Sequence, residues 1–135
     1  MEKGMPLKGV SILIADDEDA IRGVLERFFQ RDGATVFGVS GGVDALDAIR
    51  RRTVDVIVLD VRMPDKDGAE VYRELRKERP ELAGRVIFLS GDVTRVTEEL
   101  DVPQHRVLVK PVELGDLKRA VMDTVAGMRS TFSLR

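Results

Sequence analysis

Five short, almost unbroken apolar runs lie along the chain, and each is followed by a charged stretch with apolar residues at helical spacing. The first run, Val10-Ser11-Ile12-Leu13-Ile14-Ala15, suits a strand covered on both faces. From Asp19 to Arg31, the residues Ile21, Val24, Leu25, Phe28 and Phe29 predict a helix, and Gly33 stands where a helix C-terminal glycine belongs. Thr35 to Val39 reads as a second strand, and Gly42 to Arg52 as a second helix with Val43, Leu46 and Ile49 as its stripe. Arg50, Arg51 and Arg52 close that helix, where the macrodipole favours cations. Val54 to Leu59 predicts the third strand, and Val61 to Gly68 a turn-rich loop. A third helix runs from Ala69 to Glu78 and must stop near Pro80. Arg85 to Leu89 forms the fourth strand, Thr94 to Leu100 a short helix, and Arg106 to Val109 the fifth strand. The last helix spans Glu113 to Met128, with Leu114, Leu117, Val121 and Val125 on one face.

This is a βα unit repeated five times, which predicts an α/β fold with a parallel sheet covered by helices on both faces. Five strands favour the flavodoxin-like doubly wound arrangement, order 2-1-3-4-5. One domain is expected over residues 10–128, with an N-terminal extension over 1–9 and a flexible tail over 129–135. No second domain, repeat or low-complexity segment is visible.

Composition narrows the function classes. With 22 basic and 24 acidic residues the net charge is −2, which argues against a nucleic-acid binder. No apolar run is long enough to span a bilayer, and Asp16 and Asp17 interrupt any signal-peptide pattern. The chain has no cysteine, which excludes disulfides and thiolate metal sites and suits the cytoplasm. His105, the only histidine, is expected to be an exposed loop residue.

In an open α/β sheet the site lies beyond the carboxyl ends of the strands. The sequence there reads Asp16-Asp17-Glu18-Asp19 after strand one, Asp60 after strand three, Ser90-Gly91-Asp92 after strand four and Lys110-Pro111 after strand five. Each has a plain structural reading. The first acids could cap a helix, Asp60 could start a turn, Ser90 could be a loop hydroxyl and Lys110 an exposed strand end. Together they make a site, because the fold brings all four strand ends to one edge. Clustered carboxylates repel unless a cation intervenes, and hard oxygen ligands suit Mg²⁺. Asp16, Asp17 and Asp60 contribute −3, which Lys110 and one Mg²⁺ balance with +3. A phosphoryl group on Asp60 would add about one more negative charge, which hydrogen-bond donors such as the Ser90 hydroxyl could meet.

At these residues the sequence resembles the receiver domain of two-component response regulators, from about Val10 to Val125. The motifs are Asp16-Asp17, Leu59-Asp60-Val61-Arg62-Met63-Pro64 with Asp67-Gly68 behind it, Leu89-Ser90-Gly91, and Lys110-Pro111. The resemblance implies that Asp60 is a nucleophile attacking a phosphohistidine on a sensor histidine kinase or histidine phosphotransfer protein. Asp17, Asp60 and the backbone carbonyl of Arg62 would hold Mg²⁺, with Asp16 acting mainly through water. Lys110 would pair with Asp60 and then with the phosphoryl group. Ser90 would hydrogen-bond the phosphoryl oxygen and draw the following loop inward, and Gly91 would leave room for that approach. Arg62 and Asp92 stand at positions that tune phosphate lifetime in the family, and their pairing across the mouth would slow attack by water.

The resemblance implies a signalling module rather than an enzyme: a stand-alone response regulator acting on a separate effector, as a monomer or a phosphorylation-dependent dimer. Alternatives are a receiver excised from a hybrid histidine kinase, a phosphate sink, and a degenerate receiver that binds without phosphorylation. An aspartyl phosphatase would need an acid two residues after the nucleophile, where this chain has Arg62. Two departures from the family pattern stand out. The strand-five aromatic that turns inward on activation is replaced by Val107, and the aromatic after Lys-Pro by Val112. Tyr72 lies on the third helix and cannot substitute, so any signal is directed through Gly91 to Gln104.

Overall fold

The computed structural model describes residues 5–133, with side chains described to residue 129. The elements alternate as expected: β1 (Ser11–Ala15), α1 (Asp19–Arg31), β2 (Thr35–Val39), α2 (Gly42–Arg51), β3 (Val56–Asp60) and α3 (Gly68–Glu78). They continue with α4 (Pro80–Ala83), β4 (Val86–Ser90), α5 (Val93–Leu100), a 3₁₀ turn (Gln104–Arg106), β5 (Val107–Val109) and α6 (Leu114–Ser133). The five strands form one parallel sheet in the order β2-β1-β3-β4-β5.

Alternation along the buried strands divides the core between the two faces of the sheet. Leu13, Ile57, Leu59, Val86 and Phe88 pack with Leu46, Val71, Tyr72 and Leu75 from α2 and α3, and with Val96 from α5. Ile12, Ile14, Val56, Val58, Ile87 and Leu89 pack with Leu25 and Phe29 from α1 and with Leu117, Val121 and Val125 from α6. Tyr72 meets Phe88 edge to face, with ring centroids 5.2 Å apart. That contact occupies the tyrosine in the core.

Several boundaries differ from the sequence pattern. Arg79 ends α3 as expected, but Pro80 opens one further helical turn, α4, because proline at the first helical position is already set for helix. The described part of the N-terminal extension packs on the domain: Leu7 is fully buried and its N–H donates to the Asp32 carbonyl at 2.8 Å. Gly9, at φ 84°, then turns the chain into β1. Residues 1–4 of that extension lie outside the described residues. The tail expected to be flexible from residue 129 is helical through Ser133, since Gly127 weakens a helix without stopping it and no proline follows. Residues 134–135 lie outside the described residues.

Candidate functional site

Strand register determines which residues meet at the carboxyl edge. Ala15 is level with Leu59, Asp60 with Leu89 and Ser90 with Val109. Asp16, Asp60, Ser90 and Lys110 therefore leave the sheet side by side. Asp16 and Asp60 are buried at 0% and 1% exposure, Ser90 is nearly so, and Asp17 is exposed. Carboxylate oxygens of Asp16, Asp17 and Asp60 lie within 4.8 Å of one another. Lys110 Nζ stands 2.9 Å from Asp60 Oδ1, which also accepts from the Arg62 backbone N–H at 3.1 Å.

One oxygen on each buried acid has no partner: Asp16 Oδ2 and Asp60 Oδ2 are enclosed and unbonded. Orphaned buried carboxylate oxygens are costly unless a cation meets them. Two such oxygens beside an exposed third carboxylate form a donor set that fits a hard divalent cation. Burial pushes the Asp16 carboxyl above its usual range; the hydrogen bond from the Glu18 N–H opposes this, and the Asp60 charge adds to it. Burial would lower the Lys110 ammonium, but its hydrogen bond to Asp60 and the acid charges around it hold it above the ordinary lysine value.

The plain capping reading of the first acids does not hold. The residue before α1 is Glu18, and no side chain caps that helix. Asp19 instead pairs with Arg22, whose other nitrogen donates to the Asp16 carbonyl at 2.8 Å. Arg22 was not singled out from sequence, and its one signal was the three-residue spacing from Asp19 on a helix. After β3 the chain is held by several contacts. The Gly68 N–H donates to the Val61 carbonyl at 2.8 Å, and Asp67 with Glu70 forms a capping box at the start of α3. Asp65 accepts from Gly42 of α2, and no local sequence pattern reveals this. Gly68 is required where it stands, because a Cβ would lie 2.7 Å from the Asp60 carbonyl.

On the other side, the Ser90 hydroxyl accepts from the Asp92 N–H at 3.0 Å and lies 3.3 Å from the Asp92 carbonyl. Asp92 in turn caps α5 by accepting from the Arg95 N–H at 3.1 Å. The expected pairing of Arg62 with Asp92 is absent: both line the crevice, but no ion pair joins them among the described residues, and the Asp92 carboxylate is used as a cap. A Cβ on Gly91 would meet nothing within 4 Å, so the space at the mouth does not depend on glycine there. Val107 is buried in the core, and His105 is exposed on the 3₁₀ turn as expected. The arginines ending α2 are engaged: Arg50 with Glu78, Arg51 with Asp47 and Arg52 over the Phe37 ring. Asp17 and Asp60 open onto a crevice of about 780 Å³ that runs past Met63 and Ala69 to Val96 and Leu100.

The family model for the response regulator receiver domain matches residues 12–122, and the chain belongs to that family. Response regulator MprA of Mycobacterium sp. (strain KMS) is 38% identical over 108 residues, covering 80% of this chain and 47% of that protein. Sensor kinase CckA of Brucella abortus (strain 2308) is 40% identical over 94 residues, covering 67% of this chain and 10% of the kinase. Response regulator protein TrrA from Thermotoga maritima, solved in complex with Mg(2+)-BeF, matches with a TM-score of 0.74 at 27% identity, covering 85% of this chain and 98% of that one. The chain spans less than half the length of these curated relatives. It is a two-component signalling module with a phospho-acceptor role, and it carries the acidic pocket at which such domains bind Mg²⁺. No helix among the described residues is long and apolar enough to cross a membrane.

Proposed function

We propose that Asp60 accepts a phosphoryl group from a phosphohistidine on a sensor histidine kinase or histidine phosphotransfer protein, in a Mg²⁺-dependent reaction. The observation that carries this reading is the buried Asp60 carboxylate, with Lys110 on one oxygen and nothing on the other. In the transfer, an Asp60 oxygen forms a bond to phosphorus as the phosphorus–nitrogen bond to the donor imidazole breaks. The imidazole leaves with the electron pair, and the product is an acyl phosphate. Its charge rises from −1 to about −2. Lys110 stays beside the reacting oxygen and stabilises charge spreading over the phosphoryl group. Mg²⁺, held by Asp17, Asp60 and the Arg62 carbonyl with Asp16 reaching it through water, would supply the further positive charge that the transfer needs.

Ser90 is the hydroxyl that meets the new phosphoryl oxygens. Its present partner is the Asp92 backbone, and Asp92 caps α5, so drawing Ser90 inward loosens the start of that helix. This supports a signal leaving through Gly91 to Gln104 toward a separate effector protein in the cytoplasm. A receiver within a hybrid kinase is the second reading, favoured by the likeness to part of sensor kinase CckA. The test is incubation with a small phosphodonor and Mg²⁺, followed by intact mass. Wild type gains one phosphoryl group, while Asp60→Asn or a chelator prevents the gain. Equal gain in Asp60→Asn would refute the assignment.

A further inference from the structure

We propose that Asp65, on the loop after β3, is a positioning residue for the cation site, acting as a latch that fastens the Arg62-bearing loop to the start of α2. The inference rests on the metal-binding reading above and goes beyond it, since Asp65 reaches neither the acids nor Lys110. The loop leaves Asp60 anchored at its first turn, where the Arg62 N–H donates to Asp60 Oδ1. It returns anchored at its last turn, where the Gly68 N–H meets the Val61 carbonyl. Between these anchors, near the apex, Asp65 is the side chain that fixes the loop to α2: its Oδ1 accepts from Gly42 N–H at 3.0 Å and from Val43 N–H at 3.4 Å.

The two sides of the latch are shaped for each other. Asp65 sits at φ 60°, in the left-handed region, where aspartate and asparagine are the best-tolerated residues after glycine. Helix α2 has no side-chain cap of its own, because Gly41 precedes it. Asp65 therefore serves as that cap from 23 residues away. A Cβ on Gly41 would come 3.0 Å from Asp65 Oδ2, and one on Gly42 would overlap the Lys66 carbonyl. The glycine pair is the slot that admits the Asp65-Lys66 turn. Hydrogen bonds from the N–H groups of Lys66, Val43 and Gly42 hold the Asp65 carboxyl below its usual range. Lys66 extends the tie through Glu74 of α3 at 2.6 Å, and Glu74 lies 3.7 Å from Arg50 of α2. Residues that orient ligand-bearing loops typically alter metal affinity by an order of magnitude or more.

The test titrates the full chain with Mg²⁺ by calorimetry, and follows amide exchange at Gly42 and Val43 with and without the ion. Asp65→Gly relieves the backbone and removes the latch, and it should weaken Mg²⁺ binding by about tenfold. Asp65→Asn keeps the accepting oxygen and the left-handed turn, and should stay within about twofold. Because linkage is reciprocal, Mg²⁺ should slow exchange at Gly42 and Val43 in wild type and not in Asp65→Gly. Wild-type affinity in Asp65→Gly, or an Asp65→Asn defect equal to that of glycine, would overturn the latch while leaving the cation site standing. Failure of wild type to bind Mg²⁺, or binding unchanged in Asp60→Asn, would remove the cation reading itself and the latch with it.

Discussion

On the β1 and β3 side of the crevice, each loop that carries an acid is tied down by side-chain hydrogen bonds. Arg22 holds the Asp16 carbonyl, Asp65 reaches α2, and a capping box fixes the start of α3. On the β4 and β5 side the ties are few. Among the described residues the Ser90 hydroxyl bonds only to the Asp92 backbone two residues on, α5 has eight residues and ends on Asp101 in the left-handed region, and β5 has three. Under the proposed function, the contrast lets one site serve two purposes. Three clustered carboxylates need a rigid frame to hold a cation against their own repulsion. A segment that must respond to a phosphoryl group needs a weakly held start, drawn from the low-stability end of the fold.

The largest effect should come from Lys110→Ala, which leaves Asp60 buried without its cation. Denaturant unfolding should show a loss of about 2 kcal/mol in the metal-free protein. Adding Asp60→Asn to it should restore most of that loss, because the buried charge left without its partner is then gone. Additive costs would mean that the pair is not coupled across the two halves.

Asp92→Ala should cost about 1 kcal/mol by removing the cap of α5. Amide exchange should quicken from Arg95 to Leu100 and stay unchanged at the ends of β1 and β3. Equal quickening on both sides would erase the distinction between a held half and a loose one.

A smaller effect is the pH dependence contributed by Asp16. Its carboxyl is raised in the fold by burial and by the Asp60 charge, so the folded state binds that proton more tightly than the unfolded chain does. The contribution is fully present below the ordinary aspartate range, near pH 4, and is lost as pH rises through the raised value. In chelator, Asp16→Asn should flatten this loss, and in wild type Mg²⁺ should oppose it. Thermal melts between pH 4 and 7 check both.

Much of this was legible in the chain. The five apolar runs gave the strands, and the residues at their ends gave the acids, Ser90 and Lys110, because strand termini are local features of sequence. What escaped depends on distance or on brevity. Helix α4 is a single turn, too short for periodicity to reveal. Leu7 is one apolar residue with no pattern around it, yet it fills the core beneath α1. The latch by Asp65 spans 23 positions, and nothing local distinguishes it from a turn aspartate. Arg62 and Asp92 were expected to pair across the mouth, whereas the Asp92 carboxylate caps α5 through the Arg95 N–H.

The most direct test of the central claim is chemical mapping of the phosphoryl group after reaction with a phosphodonor and Mg²⁺. Borohydride cleaves an acyl phosphate and leaves homoserine in place of aspartate. The account predicts homoserine at position 60 and at no other acid of the crevice. Homoserine at position 16 or 17, or a borohydride-resistant phosphate on Ser90, would contradict it.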